Sequence, residues 1–207
     1  MFMDFELFRR EVRGEVFDYL LLTNYLQGLK KPRDKISSLI TEGKVIRLKK
    51  GLYAFGENWR RAPLDLKMTA NQLYGPSCIS FEYALSSYGL ISERPTVITS
   101  LTVGDTKTFH TAIGTFEYRA ISSEKFKVGI EYVDLGKEGG YFIASKEKAL
   151  ADFVYRTPNI RTLEQLRYYL FEEMRVDEGL FRDFDFHKLH EIVEAYKKNT
   201  VSMMEKL

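Results

Sequence analysis

Basic side chains concentrate in one short stretch of this 207-residue chain. Residues 30–50 hold eight Lys or Arg against two acids, although the net charge of the whole chain is only +2. Serine and threonine stand among these bases. Short hydroxyl side chains approach the edges of bases closely, while lysine and arginine pair with phosphate oxygens. This combination is typical of a surface that binds nucleic acid, and Arg60 and Arg61 would extend it.

A helix that begins at Pro32 is expected to carry half of this surface. Its apolar residues Ile36, Leu39 and Ile40 recur at helical spacing, proline suits a first helical turn, and Gly43 suits a left-handed C-terminal cap. Turning the apolar stripe inward directs the polar residues of the segment outward. The residues of this segment that we expect to contact DNA are Lys31, Arg33, Lys35, Ser37, Ser38 and Thr41.

A basic hairpin is expected to carry the other half. Residues 45–49 and 52–55 have the residue pattern of two strands on either side of a Lys-Gly turn. A further helix is predicted within residues 18–29. Helix, turn, helix and hairpin in this order predict a winged helix-turn-helix domain over residues 1–61. The hairpin residues expected to contact the DNA backbone are Arg47, Lys49 and Lys50.

The rest of the chain, residues 62–207, predicts an α+β domain. Its basic and acidic residues leave a net charge of −3, whereas residues 1–61 carry +5. β-branched and aromatic residues predict a small antiparallel sheet. Helices that begin after Ser80, Ser145 and Thr162 are expected to flank it. The strands are predicted at residues 97–103, 106–113, 115–121 and 141–144, and a last helix from residue 185 into the Met203-Met204 tail.

Candidates for catalysis and metal binding are few. One cysteine and three histidines fall short of a structural zinc site, so we expect neither a metal nor a cofactor. An enzyme acting on nucleic acid would have to pair Cys78 or Ser80 with His110, and nothing in their spacing brings them together. We therefore expect a binding protein and not an enzyme.

Hydropathy indicates the compartment. No apolar run approaches the ~20 residues of a membrane span, and acids occupy the first residues, where a signal peptide has a basic region. The chain is therefore expected to be a cytoplasmic protein without a membrane partner.

Several sequence phrases, by their order and spacing along most of the chain, resemble one family: the AbiEi-type antitoxins of type IV toxin-antitoxin systems. No single phrase is specific, but their order over some 125 residues is. The phrases include Lys31-Pro32-Arg33-Asp34-Lys35-Ile36, Gly43-Lys44-Val45-Ile46-Arg47, Lys49-Lys50-Gly51-Leu52-Tyr53, Leu73-Tyr74-Gly75-Pro76-Ser77, Tyr88-Gly89-Leu90-Ile91 and Glu147-Lys148-Ala149-Leu150 with Asp152.

The resemblance implies a winged helix-turn-helix domain joined to an α+β antitoxin domain. Such a protein represses its own operon by binding inverted repeats in the double-stranded promoter DNA. It also counteracts a co-encoded nucleotidyltransferase-like toxin, with or without direct contact. The alternative is a winged-helix regulator whose C-terminal domain senses a small molecule, and the reading frame next to the gene separates the two.

Overall fold

The structure, a computed structural model, describes residues 4–207, and in this range the chain folds into α-helices and two β-sheets. The chain is therefore an α+β protein. The smaller sheet is antiparallel, with strand order β1-β3-β2. The elements of this N-terminal part are, in chain order, α1 (Phe5–Glu11), β1 (Val16–Asp18), α2 (Tyr19–Tyr25), α3 (Pro32–Thr41), β2 (Val45–Lys49) and β3 (Leu52–Phe55).

The predicted helix at Pro32 and the predicted hairpin agree with α3, β2 and β3. The helix predicted within residues 18–29 is shorter, because the chain leaves α2 after Tyr25 and turns at Gly28 with a φ of +93°. Asp18 begins α2, since its carboxylate accepts a hydrogen bond of 2.7 Å from the Leu21 amide. Leu22 and Leu26 then pack into the core.

Two glycines hold α3 against the hairpin. Gly43 follows α3 with a φ of +67°, which a residue with a Cβ rarely adopts. Gly56 follows β3, and a Cβ there would lie 1.8 Å from the Gly43 carbonyl oxygen. The Gly56 amide donates a hydrogen bond of 2.8 Å to the Lys44 carbonyl. The end of α3 is thereby fixed to the ends of both hairpin strands.

The larger sheet has six strands in the order β6-β7-β5-β4-β9-β8. Its strands are β4 (Ser77–Ile79), β5 (Val97–Thr102), β6 (Lys107–Thr111), β7 (Gly114–Ala120), β8 (Ile130–Asp134) and β9 (Gly140–Ala144). The helices of this part are α4 (Leu66–Leu73), α5 (Phe81–Ser87), α6 (Ser123–Lys127), α7 (Lys146–Arg156), α8 (Leu163–Tyr168), α9 (Glu178–Arg182), α10 (Phe186–Tyr196) and α11 (Asn199–Ser202).

The prediction of an antiparallel sheet is wrong, because the six-stranded sheet is mixed. β5 pairs with β7 in parallel, and so does β4 with β9, while the other neighbours are antiparallel. After β5 the chain crosses to the outer edge of the sheet and forms β6. It then returns as β7, which lies between β5 and β6. Turn residues indicate where strands end, but they do not determine which strands become neighbours.

Of the three residues predicted to cap helices, two do so with their side chains. Ser145 and Thr162 cap α7 and α8 through their side chains, and Thr162 forms the predicted capping box with Gln165. Ser80 precedes α5 without capping it by its side chain, since its hydroxyl donates to Asp152 at 2.6 Å. The last predicted helix is interrupted at Lys197, which has a φ of +49° and separates α10 from α11.

Two main buried clusters form the core. The first lies within the N-terminal part and contains Phe8, Phe17 and Leu39. The second fills the space between the six-stranded sheet and its helices, and it also includes Leu48 and Ala54 of the hairpin. The hairpin therefore contributes to both cores, and apolar packing crosses the predicted boundary after residue 61.

Candidate nucleic-acid interface

A groove of about 490 Å³ lies between α3, the first residue of α2 and the hairpin. Its polar lining is mainly basic, and its apolar lining comes from aromatic and isoleucine side chains. The groove is bounded by a helix on one side and a two-stranded hairpin on the other. The residues that line it are Tyr19, Arg33, Ile36, Ser37, Ile40, Arg47, Lys50, Gly51 and Tyr53.

Four of the predicted DNA-contacting residues meet in this groove: Arg33, Ser37, Arg47 and Lys50. All four are exposed to solvent. The Ser37 hydroxyl donates a hydrogen bond of 3.1 Å to the Arg33 carbonyl, which leaves its oxygen lone pairs free to accept. Three cations and one hydroxyl from α3, β2 and the hairpin turn thus converge on one concave surface.

The other predicted residues of α3 do not line the groove. Thr41 donates to the Ser37 carbonyl at 3.0 Å, and Lys31 lies 3.9 Å from Asp34 at the exposed start of the helix. Lys35 is half-buried, and the Ser38 hydroxyl donates to the Glu42 carboxylate. Lys31, which precedes α3, therefore lies outside the groove, as do Lys35, Ser38 and Thr41 on α3.

Glu42 is an acidic residue that directly follows α3. Hydrogen bonds from Lys44 and then from Ser38 lower the pKa of the Glu42 carboxyl. The Lys44 ammonium lies 2.7 Å from Glu42 and also faces the Trp59 ring at 5.6 Å. Lys44 is therefore paired within the N-terminal part and does not add to the positive charge of the groove.

Lys49 lies apart from the other hairpin cations. The strand register shifts between Arg47, which is opposite Tyr53, and Lys49, which is opposite Leu52. Such a bulge turns the following side chain to another direction. Lys49 is half-buried against the six-stranded sheet, where its Nζ lies 5.9 Å from the centroid of the Phe109 ring. Arg47 and Lys49 consequently face different surroundings.

Ile40 differs from its prediction. The helical stripe predicts that it faces inward, but Ile36 and Leu39 fill the core beneath α3, while Ile40 is 36% exposed and lines the groove. Tyr19 and Tyr53 are groove residues that sequence reasoning missed. Their residue type marks neither of them as a binding residue, and only the packing of α2 and the hairpin around α3 brings them to this groove.

Arg61, predicted to extend the basic surface together with Arg60, does not line the groove. Its guanidinium donates to the carbonyls of Arg9 at 2.6 Å and Val12 at 3.3 Å, where α1 ends. Arg9 is itself buried and lies 2.5 Å from the Glu15 carboxylate. Both arginines therefore stabilise the end of α1, because they satisfy carbonyls that have no partner within the helix.

No model of a known protein family matches the chain. A search of curated proteins finds no match either. The resemblance to the AbiEi-type antitoxins therefore stays a prediction from the sequence phrases, and the geometry of the groove carries the functional argument.

The candidate catalytic residues have three different surroundings. Cys78 is completely buried, and burial raises the pKa of its thiol to about 12, so the reactive thiolate does not form near neutral pH. The Ser80 hydroxyl is committed to the buried Asp152. His110 is exposed on β6, with Nδ1 3.2 Å from the Thr115 hydroxyl.

The arrangement of acidic, histidine and cysteine side chains and the length of the helices bear on metal binding and on membrane spans. Among residues 4–207, no three His, Cys, Asp or Glu side chains cluster in a way that would hold a metal ion. Within the same range, every helix is too short or too polar to cross a bilayer.

Proposed function

We propose that the chain is a DNA-binding transcriptional autorepressor. Residues 1–61 form a winged helix-turn-helix domain in which α3 enters the major groove and the β2-β3 hairpin is the wing. The observation that carries this proposal is the groove in which Arg33, Ser37, Arg47 and Lys50 converge. Cations on a helix and an adjacent hairpin can contact the same duplex at once.

The order of elements supports this assignment. A helix, a short strand, two further helices and a hairpin follow one another, and the short strand β1 pairs with β3 to complete a three-stranded sheet. The second and third helices, α2 and α3, are separated by only a short turn through Gly28. This arrangement suits a recognition helix supported by a small sheet.

The groove chemistry suggests a division of roles. Arg33 and Ser37 on α3 supply donors and acceptors for base edges, whereas Arg47 and Lys50 on the hairpin supply cations for backbone phosphates. The exposed Ile40 side chain offers an apolar contact to a thymine methyl group. Specific and non-specific contacts would thus come from different elements.

Binding to promoter DNA tests this proposal. The purified chain should shift a duplex from upstream of its own gene more strongly than a scrambled duplex of the same length. Because phosphate contacts release counterions, the logarithm of the affinity should fall linearly with the logarithm of the salt concentration. If neither duplex is bound in a salt-dependent way, the proposal is wrong.

We further propose that residues 62–207 act as the antitoxin of a type IV system and counteract a nucleotidyltransferase-like toxin. This part of the proposal rests on the sequence phrases. Co-expression with the protein of the adjacent reading frame tests it, since the chain should restore growth to cells arrested by that protein. If the adjacent protein does not arrest growth, or arrest persists in the presence of the chain, this part is wrong.

One observation favours a second candidate, a regulator that senses a small molecule. An open groove of about 620 Å³ runs along α8 and is lined in part by Tyr168, Tyr169 and Glu173. Tyr169–Glu173 is a π-helical segment, a feature that is frequent at functional sites. A thermal-shift screen would favour this candidate if one metabolite class stabilises the wild type but not a Tyr168→Ala variant.

A further inference from the structure

The hairpin meets the six-stranded sheet at its outer edge. Leu48 of β2 is buried in the same core as the sheet, and the neighbouring Lys49 faces Phe109 of β6. β6 is an edge strand, since it pairs with β7 alone. The proposed wing and the edge of the second part of the chain, residues 62–207, therefore form one continuous surface.

Two lysines flank a pair of aromatic rings on this surface. Lys49 Nζ lies 5.9 Å from the Phe109 centroid, and Lys107 Nζ lies 4.9 Å from the Tyr74 centroid. The Phe109 and Tyr74 rings are themselves 5.9 Å apart. Lys107 and Phe109 are two residues apart on β6, so their side chains share one face of the strand.

The two cations are poorly neutralised. Burial lowers the pKa of the Lys49 ammonium, and the positive charge of Lys107 lowers it further. Among the described residues, the only carboxylate within ion-pair distance of either lysine is Asp105, which lies 3.9 Å from Lys107 and is 87% exposed. Such an exposed pair contributes little. An anion between the two ammonium groups would relieve their repulsion.

We propose that the DNA backbone runs from the wing onto the second part of the chain, where Lys49 and Lys107 bind one phosphate together. This inference rests on the proposed function and extends its contact surface beyond residue 61. Lys50, which lines the α3 groove, is next in the chain to Lys49, so one strand backbone can pass both lysines. The duplex is favoured over a free anion because the hairpin that carries Lys49 also carries Arg47 and Lys50 of the proposed DNA groove.

The test compares charge-removing variants of the full chain. Binding of a fluorescent promoter duplex is measured by anisotropy over a range of salt concentrations. Lys107→Gln should weaken binding several-fold and reduce the slope of log affinity against log salt by about one unit. Lys107→Arg should keep the slope. Lys127→Gln, which removes an exposed lysine on α6, is the matched control and should change neither quantity.

The outcomes separate this inference from the proposed function. If Arg47→Gln lowers the slope and Lys107→Gln does not, the duplex ends at the wing and the inference is overturned. If Lys107→Gln reduces binding of inorganic phosphate but leaves the duplex affinity unchanged, the site takes a free anion and the DNA assignment is wrong. If the wild type binds no duplex, the proposed function fails as well. Thermal melting of each variant verifies that it is folded.

Discussion

Lys148 and Asp152 lie one turn apart on α7, with Nζ 3.4 Å from Oδ1, and both side chains are completely buried. The Asp152 carboxylate also accepts hydrogen bonds from Ser80 and from the Tyr196 hydroxyl. Lys148 donates to the Tyr196 hydroxyl and to the Lys125 carbonyl, each at 2.8 Å. This polar cluster joins α7 to α10, to the start of α5 and to α6.

Removing the lysine should strongly destabilise the chain. Burial already raises the pKa of Asp152 despite the opposing effect of Lys148, so Lys148→Met should raise that pKa further and leave polar groups without partners. We expect the free energy of unfolding to fall by about 3–5 kcal/mol, measured by urea denaturation. The exposed pair of Glu178 and Arg182 is the control. Arg182→Met should cost less than about 1 kcal/mol, and equal losses would contradict the prediction.

Two groove residues should affect DNA binding in different ways. Arg47→Gln removes a proposed phosphate contact, so affinity should fall for all duplexes and the salt slope should decrease by about one unit. Ile40→Ala removes an apolar contact and should change the ranking of operator variants while the slope stays constant. Anisotropy titrations with a panel of single-base variants measure both effects. The same slope change in both variants would refute these roles.

Leu48 should couple the stability of the two parts of the chain. It is 4% exposed and belongs to the core of the six-stranded sheet, although it comes from the hairpin. Leu48→Ala should therefore lower the free energy of unfolding by about 2–5 kcal/mol. Calorimetry should show one cooperative transition for the wild type. Leu20→Ala is the control, because Leu20 is 65% exposed. Two separate transitions in the wild type would show that the parts fold independently.

His190 should make stability depend on pH. Its Nδ1 lies 2.9 Å from the Glu205 carboxylate, and this hydrogen bond raises the pKa of the imidazole. The contribution is present below the unfolded pKa of about 6.5 and is lost as the pH rises through the higher folded value. Relative to His190→Gln, the wild type should be more stable at about pH 5.5 than at about pH 8.5. Urea midpoints measure this difference, and a constant difference would disprove it.

The elements that sequence reasoning predicted well depend on residues close together in the chain. Pro32 and Gly43 bound α3, the Lys50-Gly51 turn separates β2 from β3, and Thr162 begins α8. Each signal acts within about one helical turn or one hairpin, through a cap, a ring constraint or a positive φ. Such signals need no knowledge of the remaining chain.

Strand neighbours and side-chain surroundings depend on contacts between distant segments. The pairing of β5 with β7 leaves β6 at the edge, and no local pattern distinguishes this order from a simple antiparallel meander. The short strands β1 and β4 lack a signal of their own, because their pairing partners stabilise them. These features follow from how the whole chain fills its core.

For the proposed site, residue types alone predicted a basic helix and hairpin, and four of their residues share the groove. Tertiary packing decided the rest. The bulge in β2 and the apolar contact of Leu48 direct Lys49 to the second part of the chain. Hydrogen bonds to carbonyls at the end of α1 hold the Arg61 guanidinium. The charge of a lysine or arginine is a property of the residue, but the partner it meets is determined by segments far away in sequence.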